Sequence, residues 1–94
     1  RDLDRRIVNA SIATALEQVL RQALGRKALP DILTDDTPLL GGVTGFDSLA
    51  VLAILTGVRE TFGCAIDESE VSAEVFDSVG TLRRFIEARL DELA

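Results

Sequence analysis

Asp47-Ser48-Leu49-Ala50-Val51-Leu52-Ala53-Ile54-Leu55-Thr56-Gly57-Val58-Arg59-Glu60-Thr61-Phe62-Gly63 is the stretch that decides the fold. Leu49, Val51, Leu52, Ile54, Leu55 and Val58 make it apolar on almost every side. It lacks the alternation of a half-buried strand and is too long for one, so a helix is predicted from Ser48 to Phe62. Asp47 or Ser48 is a natural N-cap, and Gly63 is a natural residue just past the C-terminus.

Working outward, two further segments carry a helical period. Val8, Ile12, Leu16, Val19, Leu20 and Ala23 recur at spacings of three and four, with Arg5, Asn9, Glu17 and Arg21 off that stripe. This predicts a helix from about Asp4 to Leu24, capped by Asp2 or Asp4 and ended by Gly25 with basic Arg26-Lys27. The last helix is predicted from the Ser78 cap to about Leu93. Its stripe is Val79, Leu82, Phe85, Ile86, Leu90 and Leu93, and its wet side Arg83, Arg84, Glu87 and Asp91. Residues 68–76 predict a short, frayed helix with Val71 and Val75 inward. The stretch Gly25 to Phe46 carries Pro30, Pro38, Gly41, Gly42 and Gly45, so it cannot be one regular element. Leu29, Ile32, Leu33, Leu39, Leu40, Val43 and Phe46 make it too apolar for a free linker, which predicts a loop pinned onto the core. The expected fold is all-α: three main helices and one short one in a small bundle, with a long loop between helices 1 and 2.

Composition narrows the function. The 94 residues predict a single domain over 1–94. The chain is 47% hydrophobic, enough for a core without metal or disulfide. It has no His, which excludes Ser-His-Asp and Cys-His catalysis, and its one Cys builds neither a disulfide framework nor a zinc cluster. The net charge is −6 and four Phe are the only aromatics, a poor basis for binding nucleic acid. The charge is uneven: six bases face three acids in residues 1–30, and ten acids face only Arg59 in residues 31–82. No apolar run approaches the roughly 18 residues of a membrane span, and nothing resembles a signal peptide, so a cytoplasmic protein is expected. The first residue is Arg1 rather than Met, so a chain that is trimmed, excised from something longer, or missing disordered residues is expected.

The chemistry gathers at Gly45-Phe46-Asp47-Ser48-Leu49. A serine where a long loop becomes an apolar helix has its hydroxyl beside free backbone N–H groups. A phosphate ester there would meet the positive helix end, a gain of about 0.3–1 kcal/mol if exposed. Asp47 offsets part of that gain, and could instead help hold a magnesium ion brought by a modifying enzyme. From these residues alone two readings stand: Ser48 as a plain N-cap, or Ser48 as a modified serine.

Asp47-Ser48-Leu49, an apolar helix, and then Phe62-Gly63-Cys64-Ala65-Ile66 resembles the acyl carrier and peptidyl carrier proteins. Their motif is Asp-Ser-Leu, followed about a dozen residues later by Phe-Gly-x-x-Ile. Ser48, Leu49, Leu52, Ile54, Val58, Phe62, Gly63 and Ile66 fall on matching positions without gaps. Ser78-Val79-Gly80-Thr81-Leu82 is similar to the family's (Thr/Ser)-Val-Gly-x-Leu entry into the last helix. The resemblance spans roughly Asp4 to Leu90 and implies a non-catalytic carrier. A phosphopantetheinyl transferase, with magnesium, would move 4′-phosphopantetheine from coenzyme A onto Ser48. Acyl- or aminoacyl-loading and processing enzymes would then use the arm's thiol, which holds the cargo as a thioester. Asp47, Leu49, Val51, Leu52 and Ala53 are the expected partner contacts, and a monomer is expected because no second apolar helix face is left over. The rival reading, from another class, is a helical protein–protein adaptor that is never modified.

The sequence also departs from the family pattern. Fatty-acid carriers usually place several acids along the outside of the helix after the serine; the matching positions here are Ala50, Ala53, Arg59 and Glu60. Ala50, Val51 and Ala53 are expected to form an exposed apolar strip, giving docking that is less sensitive to salt; the alternative is that the long loop buries this helix further round. Leu39-Leu40-Gly41-Gly42 resembles the Leu-Gly-Gly of peptidyl carriers, displaced from the serine by five residues. The combination resembles a dedicated carrier of a specialised pathway, in secondary metabolism or beside exosortase-type surface polysaccharide systems. Three smaller features have two readings each. Cys64 is a small core side chain or a reactive thiol. Gly57 marks close backbone packing or room for an acyl chain. Asp67-Glu68-Ser69-Glu70 is a solvated helix start or a secondary docking surface.

Overall fold

A computed structural model describes residues 2–25, 28–42 and 47–93, and the side chains among them except those of residues 2–11 and 93. Three α-helices carry the chain: α1 (Asp2–Leu24), α2 (Ser48–Phe62) and α3 (Val79–Leu93). The predicted short fourth helix is two 3₁₀ turns, Glu68–Glu70 and Ala73–Phe76, with extended backbone at Val71 and Ser72 between them. The physical reason is local. Asp67 and Glu70 close a capping box around a single turn, and the chain then extends, with Val71 and Val75 packed against the core.

Helix α1 opens two residues earlier than predicted; its capping by Asp2 or Asp4, and Val8, Arg5 and Asn9 on its faces, lie outside the described residues, as do Arg26-Lys27. Ile12, Leu16, Val19 and Leu20 are buried as the period requires. Gly25 ends the helix with φ 88° and donates to the Arg21 carbonyl at 2.9 Å. Helix α2 buries Ala50, Ile54, Leu55 and Val58, and α3 buries Val79, Leu82 and Ile86, with Phe85 and Leu90 packed at the margin. The side chain of Leu93 lies outside the described residues. Gly57 is explained by packing: a Cβ there would stand 2.8 Å from Val19 Cγ1 of α1, so the two helices meet without one. Cys64 is a fully buried core side chain.

The long connection is part of the core, as its apolar content predicts. Leu29 and Leu39 are buried and Leu33 packs at the margin, whereas Ile32, at 79% exposure, points away. Val43 and Phe46 lie outside the described residues. The connection is held by its backbone. Leu39 and Leu40 N–H groups donate to the Asp77 and Phe76 carbonyls at 3.1 and 2.9 Å, and Pro38 pairs with Ser78 in an antiparallel bridge. Val79 and Gly80 at the start of α3 donate to the carbonyls of Thr37 and Asp35, each at 2.9 Å. Arg21 of α1 donates to the Pro30 and Asp31 carbonyls at 3.1 and 2.8 Å. Arg83 of α3 forks onto Asp35 at 3.1 and 2.6 Å and also reaches Glu87 at 3.0 Å. Arg83 and Glu87, predicted on the wet side, are therefore half-buried in this network.

Two predictions follow from this anchoring. A Cβ on Gly80 would lie 2.8 Å from Asp35 Cβ and 2.9 Å from its carbonyl oxygen. Gly80→Ala must therefore push the loop off α3 and should cost about 1–3 kcal/mol in urea unfolding. The Arg83 guanidinium, bonded to Asp35, holds that carboxyl below its usual range. Because the folded-state value is the lower one, the contribution is present above about pH 4 and lost as pH falls through the folded value. Asp35 is more than half exposed, so the effect should stay below about 1 kcal/mol. Asp35→Asn should flatten the acid limb of the stability–pH curve by that amount, while stability near pH 7 falls slightly.

Candidate functional site

The N-terminus of α2 resolves the choice between Asp47 and Ser48 as cap. Asp47 has extended backbone, φ −133° and ψ −170°, and its Oδ1 accepts from the Ala50 N–H at 3.0 Å. Its carbonyl accepts the first intrahelical bond from Val51, also at 3.0 Å. Asp47 is therefore the cap and Ser48 the first helical residue, exposed, with no hydrogen bond to its side chain among the described residues. No acid stands in the first turn of α2 itself. The hydroxyl thus sits at the positive end of a 15-residue helix, open to an incoming reactant. Gly45 and Phe46, the start of the motif, lie outside the described residues.

At its other end α2 stops on Gly63, whose φ of 68° is left-handed and whose N–H donates to the Arg59 carbonyl at 2.9 Å. A side chain would be strained in that conformation, which explains the glycine of the Phe-Gly pair. Between those ends the helix faces two ways. Ala50, Ile54 and Val58, spaced by four, are core. Leu49, Leu52, Ala53, Thr56, Arg59 and Glu60 face outward, with Leu49 at 75% and Leu52 at 45% exposure. The expected strip of Ala50, Val51 and Ala53 is thus corrected. Ala50 lies on the core stripe, Val51 is half-buried, and the exposed strip is Leu49, Leu52 and Ala53.

Val51, one turn beyond Ser48, lines an open groove of about 280 Å³ with Leu40, Val71, Ala73 and Phe76, and with Glu68 and Ser72 at its rim. The long connection supplies one wall and the 3₁₀ segment the other. An open hydroxyl at a helix N-terminus, beside an apolar groove, suits a phosphate ester bearing a long flexible chain. A second groove, past Leu52 and Arg59, is flanked by Asp67, Glu68 and Glu70. The sequence singled out that acidic run as a solvated start or a docking surface. Asp67 and Glu70 serve the capping box, and Glu70 also pairs with Arg89 at 2.7 Å. Ser72 beside the first groove carried no signal of its own, and Leu40 was legible only as an apolar residue of the pinned loop; the loop's bridge to residues 76–78 is what brings Leu40 there.

A sequence model of the family described as phosphopantetheine attachment site matches residues 14–88. The chain is 35% identical over 57 residues to the anthracycline acyl carrier protein DauA of Streptomyces sp. (strain C5), covering 61% of this chain and 67% of that protein. The same figures hold for the anthracycline acyl carrier protein DpsG of Streptomyces peucetius. Among solved structures, the holo acyl carrier protein NE2163 of Nitrosomonas europaea superposes with a TM-score of 0.62 at 30% identity, over 88% of this chain and 95% of that one.

The two faces of α2 should respond differently to truncation. Leu49→Ser and Leu52→Ser should leave unfolding free energy within about 0.5 kcal/mol of the parent, as exposed positions do. Ile54→Ala, on the fully buried stripe, should cost about 2–5 kcal/mol. Chemical denaturation of the three variants measures both.

Proposed function

This chain belongs to the phosphopantetheine attachment site family, a family of carriers that catalyse nothing themselves and hold 4′-phosphopantetheine as their prosthetic group, and we propose that Ser48 is its attachment point. The observation that carries this is the open Ser48 hydroxyl at the start of α2, in the Asp-Ser-Leu motif, with the neighbouring Asp47 taking the cap. Ser48 Oγ attacks the phosphorus of coenzyme A that bears the pantetheine. A new O–P bond forms, the pyrophosphate link breaks, and adenosine 3′,5′-bisphosphate leaves. The hydroxyl proton goes to a base of the transferase, since this chain has no His and no side chain within hydrogen-bonding reach of Ser48 among the described residues. Once bound, the arm supplies a terminal thiol that carries acyl cargo as a thioester. Tethering keeps that cargo at an effective concentration on the order of millimolar at a docked enzyme.

Leu49, Leu52 and Ala53 present the docking face to the transferase and to the loading and processing enzymes, and Val51 borders the groove beside the arm. The face is apolar and carries one base and one acid, Arg59 and Glu60, so binding through it depends weakly on salt. The likeness to two anthracycline acyl carrier proteins supports a polyketide-type, specialised pathway. No helix among the described residues is long and apolar enough to cross a membrane.

Intact-protein mass spectrometry tests the attachment. Incubation with coenzyme A, magnesium and a broad-specificity phosphopantetheinyl transferase should add the mass of one phosphopantetheine. Ser48→Ala should take up none while keeping its helical circular dichroism; a loaded alanine variant would place the arm elsewhere.

A further inference from the structure

Asp and Ser are both among the strongest N-cap residues, and here they are adjacent, so two starts of α2 compete. In the structure Asp47 takes the cap with its carboxylate and its extended backbone, and Ser48 is drawn into the first helical position. The other start, shifted by one residue, would give Ser48 the extended backbone and direct an oxygen lone pair at an N–H of the first turn. A serine in that state is a weaker nucleophile, because one of its two lone pairs is held by a backbone N–H and the hydroxyl is turned toward the helix. A carboxylate beside the site of a phosphate ester repels it, so within the free carrier, apart from any partner or magnesium ion, charge gives Asp47 no reason to stand there. The cap bond to Ala50 at 3.0 Å does supply a reason.

We propose that Asp47 is a positioning residue for the attachment reaction: by holding the α2 cap it keeps Ser48 inside the helix and its hydroxyl out of the capping bond. This rests on Ser48 being the attachment point. It assigns Asp47 a role within the free carrier, separate from any contact with a partner or a magnesium ion. The role belongs to the capping oxygen and not to the charge.

The test is the rate of loading from coenzyme A and magnesium by the broad-specificity transferase, read as kcat/KM for the carrier, with the Ser48 Cα and Cβ chemical shifts recorded on each unloaded variant. Asp47→Ala should lose roughly fivefold, the factor that corresponds to one helix cap, and its Ser48 shifts should move from helical to extended values. Asp47→Asn and Asp47→Ser keep a capping oxygen without the charge. Both should load within about twofold of the parent and keep helical Ser48 shifts, and they serve even if the alanine variant folds poorly. An alanine variant that loads at the parent rate would overturn the inference. So would an asparagine variant as slow as alanine with its Ser48 shifts unmoved, because charge would then be the cause. If the parent gains no mass, or Ser48→Ala still gains it, the attachment reading itself fails, and the inference falls with it.

Discussion

The start of α3 has no free N–H group, and the rest of the molecule is arranged around that condition. The first four N–H groups of a helix have no partner within it. Here the Ser78 N–H goes to Thr81 Oγ1 at 3.0 Å and the Thr81 N–H to Ser78 Oγ at 3.2 Å, a reciprocal cap with threonine in the usual place of Glu or Gln. The two between them, Val79 and Gly80, are satisfied by carbonyls of the long connection, those of Thr37 and Asp35. Both residues are buried, so an unpaired N–H at either would cost about 1–3 kcal/mol. The connection is thereby held where a loop of its length would otherwise be free.

That anchoring reaches the functional end of the molecule. From Thr37 the chain runs beside residues 76–78, burying Leu39 and bringing Leu40 to the groove that also contains Val51. The groove therefore has walls from three separate segments, and its shape depends on a bridge made about ten residues before the serine. Arg83 fastens the same connection from outside through Asp35, and Arg21 fastens it nearer α1 through two carbonyls. Each arginine holds a loop against a helix. Neither stands near Ser48 in sequence.

At Ser48 the division of labour is finer. Asp47 satisfies the helix end and leaves the exposed Ser48 hydroxyl out of the cap. Beyond them the exposed face of α2 is apolar and its two charges cancel, although ten of the eleven charged residues in 31–82 are acidic. The acids lie instead on the connection and the 3₁₀ segment, where Asp35, Asp67 and Glu70 are tied into capping and ion pairs. Electrostatics here fixes the frame.

The helical periods by themselves determined α1 and α3 with their buried stripes, an unbroken apolar run determined that α2 is a helix, and glycines marked the endings at Gly25 and Gly63, because a 3.6-residue repeat, run length and a left-handed glycine are properties of local sequence. The Asp-Ser-Leu, Phe-Gly and Ser-Val-Gly motifs pointed to a carrier before any coordinates, because three motifs in order on a helical pattern resemble that family along nearly the whole chain. Tertiary structure decided what depends on a contact between distant residues. The choice of Asp47 over Ser48 as cap needed backbone angles that two good cappers in a row leave open. Ala50 turned inward and Leu49 outward because the core, which α1 supplies, sets the rotation of α2. The connection became a wall of the groove because hydrogen bonds joining Thr37, Leu39 and Leu40 to residues 76–79 set that geometry across some forty positions of chain.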